Sequence, residues 1–170
     1  MCLGSLACVS TSDEKTEGPA PWQAGRISVA FFITTDCPIA NAYAPEISKI
    51  ASDHAEGDFD FYLVHVDPDL TENAAAQHAS DYALELTRLF DRDHRLVKSL
   101  GVTVTPEVCI VGPEAELLYR GRIDDLFPAL GKKRWPPRTR DLRVALEALA
   151  QDLPVPEPWE QAVGCLLPVL

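Results

Sequence analysis

The sequence predicts one α/β domain of three layers, with helices on both faces of a mixed central sheet. Short runs of β-branched and aromatic residues alternate with segments of helical periodicity, and the last two strand-like runs are joined by a tight turn instead of a helix. Composition agrees: 170 residues, 46% hydrophobic and 24% charged, suit a globular chain with one core. No internal repeat and no domain-sized linker interrupts it.

Each element has a local cause. Residues 26–34, Arg-Ile-Ser-Val-Ala-Phe-Phe-Ile-Thr, read as a mostly buried strand that ends at a loop holding Cys37. Ile39, Tyr43, Ile47 and Ile50 fall at helical spacing, so a helix starts beside Cys37 and is bent near Pro45. Residues 59–66 form the next strand, closed by Asp67-Pro68-Asp69. Thr71 caps an Ala-rich helix over 72–81, with Glu72 in its first turn. Residues 85–90 are a third strand, and 94–100 a short helix that Gly101 stops. Residues 108–111 and 116–120 flank the turn Gly112-Pro113-Glu114-Ala115 as a hairpin. Leu142, Leu146 and Leu149 then mark a last helix over 140–150. These boundaries divide the chain into a flexible N-terminal segment (1–25), a folded domain (26–150) and a tail (151–170) that carries Cys165 and wraps without folding on its own.

A net charge of −11 argues against holding a polyanion, so nucleic acid is not an expected partner. The basic run Lys132-Lys133-Arg134 reads as a solvated loop. The five cysteines show no C-x-x-C pair and hence neither a zinc knuckle nor a dense disulfide framework. No metal and no cofactor is expected, and oligomeric state is not encoded in any pattern. The apolar start ends in Ser5-Leu6-Ala7-Cys8, similar to a bacterial lipobox with Ser5 where Leu is usual. Two readings stand: an exported, periplasmic or lipid-anchored protein attached through Cys8, or a cytoplasmic chain with a disordered leader.

Cys37 is the sharpest chemical signal. A cysteine between a buried strand and a helix gains thiolate character from the helix N-terminus, and Pro38 suits the first helical position. By itself a Cys-Pro pair is more often structural than reactive. About 70 residues downstream, directly before the hairpin, lies Gly101-Val102-Thr103-Val104-Thr105-Pro106. Together the stretch from Phe32 to Ala40 and the stretch from Gly101 to Pro106 resemble the active-site loop and the Gly-Val-x-x-x-Pro segment of thioredoxin-like proteins. The resemblance spans 26–150 and implies a thioredoxin-like three-layer α/β/α sandwich. It also implies a cis proline at Pro106 facing Cys37, with Thr105 and Pro106 docking an extended substrate. The segments Asp36 to Asn41, Tyr119 to Asp125 and Ala162 to Cys165 resemble, more narrowly, a bacterial redoxin group related to the alkyl-hydroperoxide-reductase and thiol-specific-antioxidant proteins.

The departures from that pattern bear on function. Ala40 stands where a dithiol oxidoreductase has its second cysteine, so a C-x-x-C disulfide cannot form. The peroxidase pattern Pro-x-x-x-Thr-x-x-Cys is half met, with Thr34 present and Ala30 in the place of its proline. Thr34 would supply a donor to a peroxide oxygen, and Arg122 is the candidate to hold the thiolate. Cys165 is the candidate resolving thiol, reaching back from the tail; a tail cysteine that merely packs is the alternative. Cys109, in an alternating strand, reads as buried and inert. The expected activity is thiol-based oxidoreduction through Cys37 on a protein disulfide or a hydroperoxide, regenerated by a thiol reductant. The rivals are a non-enzymatic Cu(I) or thiol-binding module, in which Cys37, Cys165 and a histidine such as His65 would meet, and a redox-inert interaction domain. His65 alone reads as a satisfied strand residue, and Asp124 and Asp125 as a solvated loop.

Overall fold

The computed structural model describes residues 21–23 and 25–170. Cys2, Cys8 and the lipobox-like segment lie outside the described residues. No helix among the described residues is long and apolar enough to cross a membrane.

Five strands form the main sheet: β1 (Ile27–Ile33), β2 (Phe59–His65), β3 (Thr87–Phe90), β5 (Glu107–Val111) and β6 (Leu117–Gly121), in the spatial order β3-β2-β1-β5-β6. The first three run parallel, whereas β5 is antiparallel to both β1 and β6, so the sheet is mixed. Helices α1 (Pro38–Asp53), α2 (Glu72–Asp81), α3 (Arg95–Leu100) and α4 (Asp141–Leu149) complete the three layers. The alternation of β1 explains why it reads as one apolar run. Val29, Phe31 and Ile33 face α1 and α4, packing with Ile47, Ile50, Leu142 and Leu146, while Ala30 and Phe32 face Val97 and Leu100 of α3. A strand covered on both faces has no polar side to show.

Local chemistry sets the element ends. Thr71 Oγ1 accepts from the Ala74 N–H at 3.2 Å and caps α2. Helix α1 runs unbroken through Pro45, although that residue has no N–H to offer. Gly101 ends α3 at φ 70°, a conformation glycine adopts without a Cβ penalty. Helix α3 starts one residue after the expected position, and its first turn is held by the carboxylate of Asp91, which accepts from Leu96 N–H at 3.0 Å and Val97 N–H at 2.8 Å.

Three expectations need correction. The tail does not merely wrap: β7 (Cys165–Leu166) pairs antiparallel with β4 (Val104–Thr105), aligning Cys165 with Thr105 and Leu166 with Val104. Asp124 and Asp125 are buried rather than solvated. Asp124 Oδ1 accepts from the Tyr43 hydroxyl at 2.8 Å and from Leu126 N–H at 2.7 Å. Asp125 accepts from Arg138 N–H at 2.6 Å and Thr139 N–H at 3.1 Å, and its carboxylate pairs with Arg134. The basic run is therefore solvated only in part, because a buried carboxylate demands a partner and Arg134 is the one within reach.

Candidate redox site

Cys37 occupies the N-cap of α1 with extended backbone, φ −75° and ψ 111°, and Pro38 follows inside the first turn. Its Sγ accepts from the Ala40 N–H at 3.5 Å, which fills the capping position usually taken by a hydroxyl or carboxylate oxygen. A sulfur so placed has an unpaired helix N–H and the positive end of a 16-residue helix to stabilise charge that develops on it. On the other side the Thr105 carbonyl oxygen lies 3.2 Å from Sγ, and the Thr105–Pro106 peptide is cis.

Cys37 is bonded to Cys165. Their Cα atoms stand 6.1 Å apart across a sequence separation of 128 residues. The β4–β7 pairing brings them together, since Cys165 aligns with the residue whose carbonyl touches the Cys37 sulfur. Cys37 is 1% exposed, whereas Cys165 is half-buried. Beside the disulfide lies a cavity of about 290 Å³, with Thr34, Asp36 and Asp67 on the sheet side and Leu166 and Pro168 on the tail side.

A buried polar cluster stands behind this loop. Asn41, one turn after Cys37, donates through Nδ2 to the Thr35 carbonyl at 3.1 Å, and its Oδ1 lies 2.8 Å from Nε2 of His78. His78 and His65 stand nearly perpendicular, with ring centroids 6.3 Å apart. Both His65 nitrogens and Nδ1 of His78 are buried without a partner. Burial holds the His65 imidazole down at about 4 and also lowers His78, so both rings are neutral near pH 7.

A family model described as Redoxin matches residues 8–128, well over half of the chain. The chain belongs to the Redoxin family. Redoxin membership makes thiol redox chemistry its broad function. No curated protein matches the sequence. Among solved structures, an uncharacterized conserved protein from Geobacillus kaustophilus is similar at TM-score 0.71 and 23% identity, over 85% of this chain and 77% of its own. A hypothetical protein from Sinorhizobium meliloti is similar at TM-score 0.72 and 23% identity, over 84% and 79%. The thioredoxin domain of a thiol-disulfide oxidoreductase from Bacteroides vulgatus is similar at TM-score 0.50 and 16% identity, over 56% and 69%. These likenesses show a thioredoxin-like fold.

In this redoxin the residues singled out from sequence divide into two groups. Cys37, Thr34, Thr105, Pro106 and Cys165 converge: Thr34 and Cys165 border the cavity at Cys37, and Thr105 touches the sulfur. Arg122 does not join them. Its guanidinium forks onto Asp141 at 2.9 and 3.1 Å, donates to Thr139 Oγ1 at 3.1 Å and lies 3.9 Å from Glu160. A bidentate carboxylate at hand outcompetes a distant thiolate for that cation. His65 also lies apart from the cavity lining, stacked on Phe90 at 5.5 Å, and it is not the satisfied residue that its place in a strand suggests. Cys109 is a free thiol at 0% exposure, and burial pushes its ionisation far up, as does Glu107. Sequence reasoning missed Asp36 and Asp67, whose positions beside Cys37 depend on two loops folding to one end of the sheet.

Proposed function

We propose that this redoxin exchanges disulfides with protein substrates through Cys37, with Cys165 as its resolving thiol. The carrying observation is the Cys37–Cys165 bond, seated where Thr105 aligns with Cys165. In the reduced protein the Cys37 thiolate attacks one sulfur of a substrate disulfide, forming a mixed disulfide and releasing the other substrate sulfur as thiolate. The Cys165 thiolate then attacks Cys37 Sγ, the second substrate thiolate leaves, and the internal disulfide is formed. A dithiol reductant restores both cysteines, becoming oxidised in turn. Thr105 and Pro106 dock the substrate strand, and the Ala40 N–H stabilises the departing or attacking Cys37 sulfur.

Peroxide is the less supported oxidant. Its chemistry asks for a cation at the thiolate, and Arg122 is committed to Asp141 while the acids Asp36 and Asp67 stand at the cavity. The lipobox-like Ser5-Leu6-Ala7-Cys8 supports an exported form anchored through Cys8.

The test is thiol mapping by peptide mass spectrometry of the reduced protein exposed separately to a protein disulfide and to hydrogen peroxide. The protein disulfide should drive wild type to the Cys37–Cys165 bond. Cys165→Ser should stall as a mixed disulfide at Cys37, and Cys37→Ser should do neither. Wild type that stays reduced with the protein disulfide but closes the bond with peroxide would overturn the assignment in favour of a peroxidase.

A further inference from the structure

The residue before Cys165 is Gly164, and it lies directly against the β4 backbone. A Cβ built on it would strike the Thr105 carbonyl oxygen, and would sit 2.6 Å from the Thr105 carbonyl carbon and 3.2 Å from Pro106 N. Gly164 is not among the glycines with positive φ, so the demand here is for space rather than for a special backbone conformation. The atoms it would meet are main chain and have no rotamer by which to retreat.

That wall is braced from behind. Arg120 Nη1 donates to the carbonyls of Leu100 and Gly101 at 3.1 and 3.0 Å. Glu107, 4% exposed, accepts from the Thr103 N–H at 2.7 Å. The segment between Gly101 and Pro106 is thereby tied at both ends, and Thr105 is fully buried. The tail, in contrast, is held at this edge by a two-residue strand, the disulfide and the packing of half-buried Leu167, with Leu166 86% exposed. Its firmer attachment is upstream, where Arg122 N–H donates to the Glu160 carbonyl at 3.0 Å and Trp159 packs on Tyr119.

We propose that the substrate-docking edge of β4, occupied here by residues 163–166 as a built-in strand, is selective for a cysteine preceded by glycine, and that outside polypeptides enter in the same register. The inference rests on the disulfide-exchange role proposed above and names its substrate class: an extended strand with a Gly-Cys pair whose cysteine is disulfide-bonded. Once Cys37–Cys165 is reduced, the tail pivots from its Trp159–Glu160 anchor and vacates the edge. The Cys37 thiolate then attacks the incoming cysteine sulfur, and the sulfur formerly bonded to that cysteine leaves as thiolate.

The test uses the full chain carrying Cys165→Ser, reduced, and a synthetic peptide of residues 161–167 whose cysteine is activated as a mixed disulfide with 5-thio-2-nitrobenzoate. Attack by Cys37 releases the coloured thiolate and leaves a peptide adduct that mass mapping locates. The Gly164→Ala peptide should react at Cys37 about tenfold more slowly or worse. The Val163→Ala peptide should stay within about twofold, and all three should react alike with glutathione. Equal rates for the glycine and alanine peptides at Cys37 would overturn the selectivity while leaving the exchange role intact. Failure of every peptide to label Cys37 would overturn both. In the intact chain, Gly164→Ala should shift the Cys37–Cys165 equilibrium against glutathione about tenfold toward the dithiol.

Discussion

Burial at the end of β2 leaves the two nitrogens of His65 without partners, its ring pressed on Phe90 and nearly perpendicular to that of His78. Desolvation, and secondarily the field of His78, lower its ionisation from 6.5 to about 4. In the unfolded chain this imidazole charges below about 6.5, but in the folded protein only below about 4. Between those values the unfolded state binds the extra proton, so stability falls as pH drops through the window and levels off beneath it. His78, also depressed by burial, adds in the same direction. Urea unfolding between about pH 6.5 and 4 should lose up to about 3 kcal/mol through His65, a slope that His65→Leu should largely remove. An unchanged slope in the variant would place the sensitivity elsewhere. Asn41 ties this pair to the redox loop, bonding His78 on one side and the Thr35 carbonyl on the other.

At the scale of elements, the segment after β6 shows how buried acids organise an irregular stretch. Asp124 reaches Tyr43 on α1, and Asp125 gathers Arg134 with the Arg138 and Thr139 N–H groups, so residues 126–140 fold back onto the body without regular structure. Burial pushes the Asp124 carboxyl up against the opposing pull of the bonds it accepts from Leu126 N–H and the Tyr43 hydroxyl, and burial with the neighbouring Asp124 charge pushes the Tyr43 hydroxyl up as well. Asp125→Ala would leave a guanidinium and two N–H groups without their acceptor. It should cost about 3 kcal/mol in chemical denaturation and open 126–140 to limited proteolysis. A loss under about 0.5 kcal/mol would mean that water replaces the carboxylate without penalty.

For the whole molecule, charge decides which small thiols approach. The net charge is −11, and Asp36 and Asp67 stand at the cavity that contains the disulfide. A negative cleft concentrates cations and repels anions, and screening removes the difference once the Debye length falls below the spacing of the charges. Compared per thiolate, cysteamine should reduce the oxidised protein about tenfold faster than 3-mercaptopropionate at low ionic strength, converging in high salt. Asp36→Asn with Asp67→Asn should narrow the ratio. Equal rates at low salt would show that the cleft field is negligible.

What could be read along the chain was what short-range chemistry encodes. Alternation marked β1 and β2, helical spacing marked α1 and α4, Thr71 and Gly101 marked an element start and stop, and Pro38 placed Cys37 at a helix N-terminus. Each of these rests on residues within a few positions of one another, where backbone geometry leaves little choice. Tertiary structure alone decided the rest: that the tail pairs with Val104 and Thr105, that Gly164 meets the Thr105 carbonyl, that Arg122 belongs to Asp141, and that His65 is sealed in without a partner. Backbone pairing at a strand edge leaves no periodic mark in the sequence, a guanidinium takes the nearest carboxylate that packing presents, and burial depends on elements far away in sequence. None of those choices is written in local pattern, because backbone hydrogen bonds and Coulombic pairing do not depend on sequence distance.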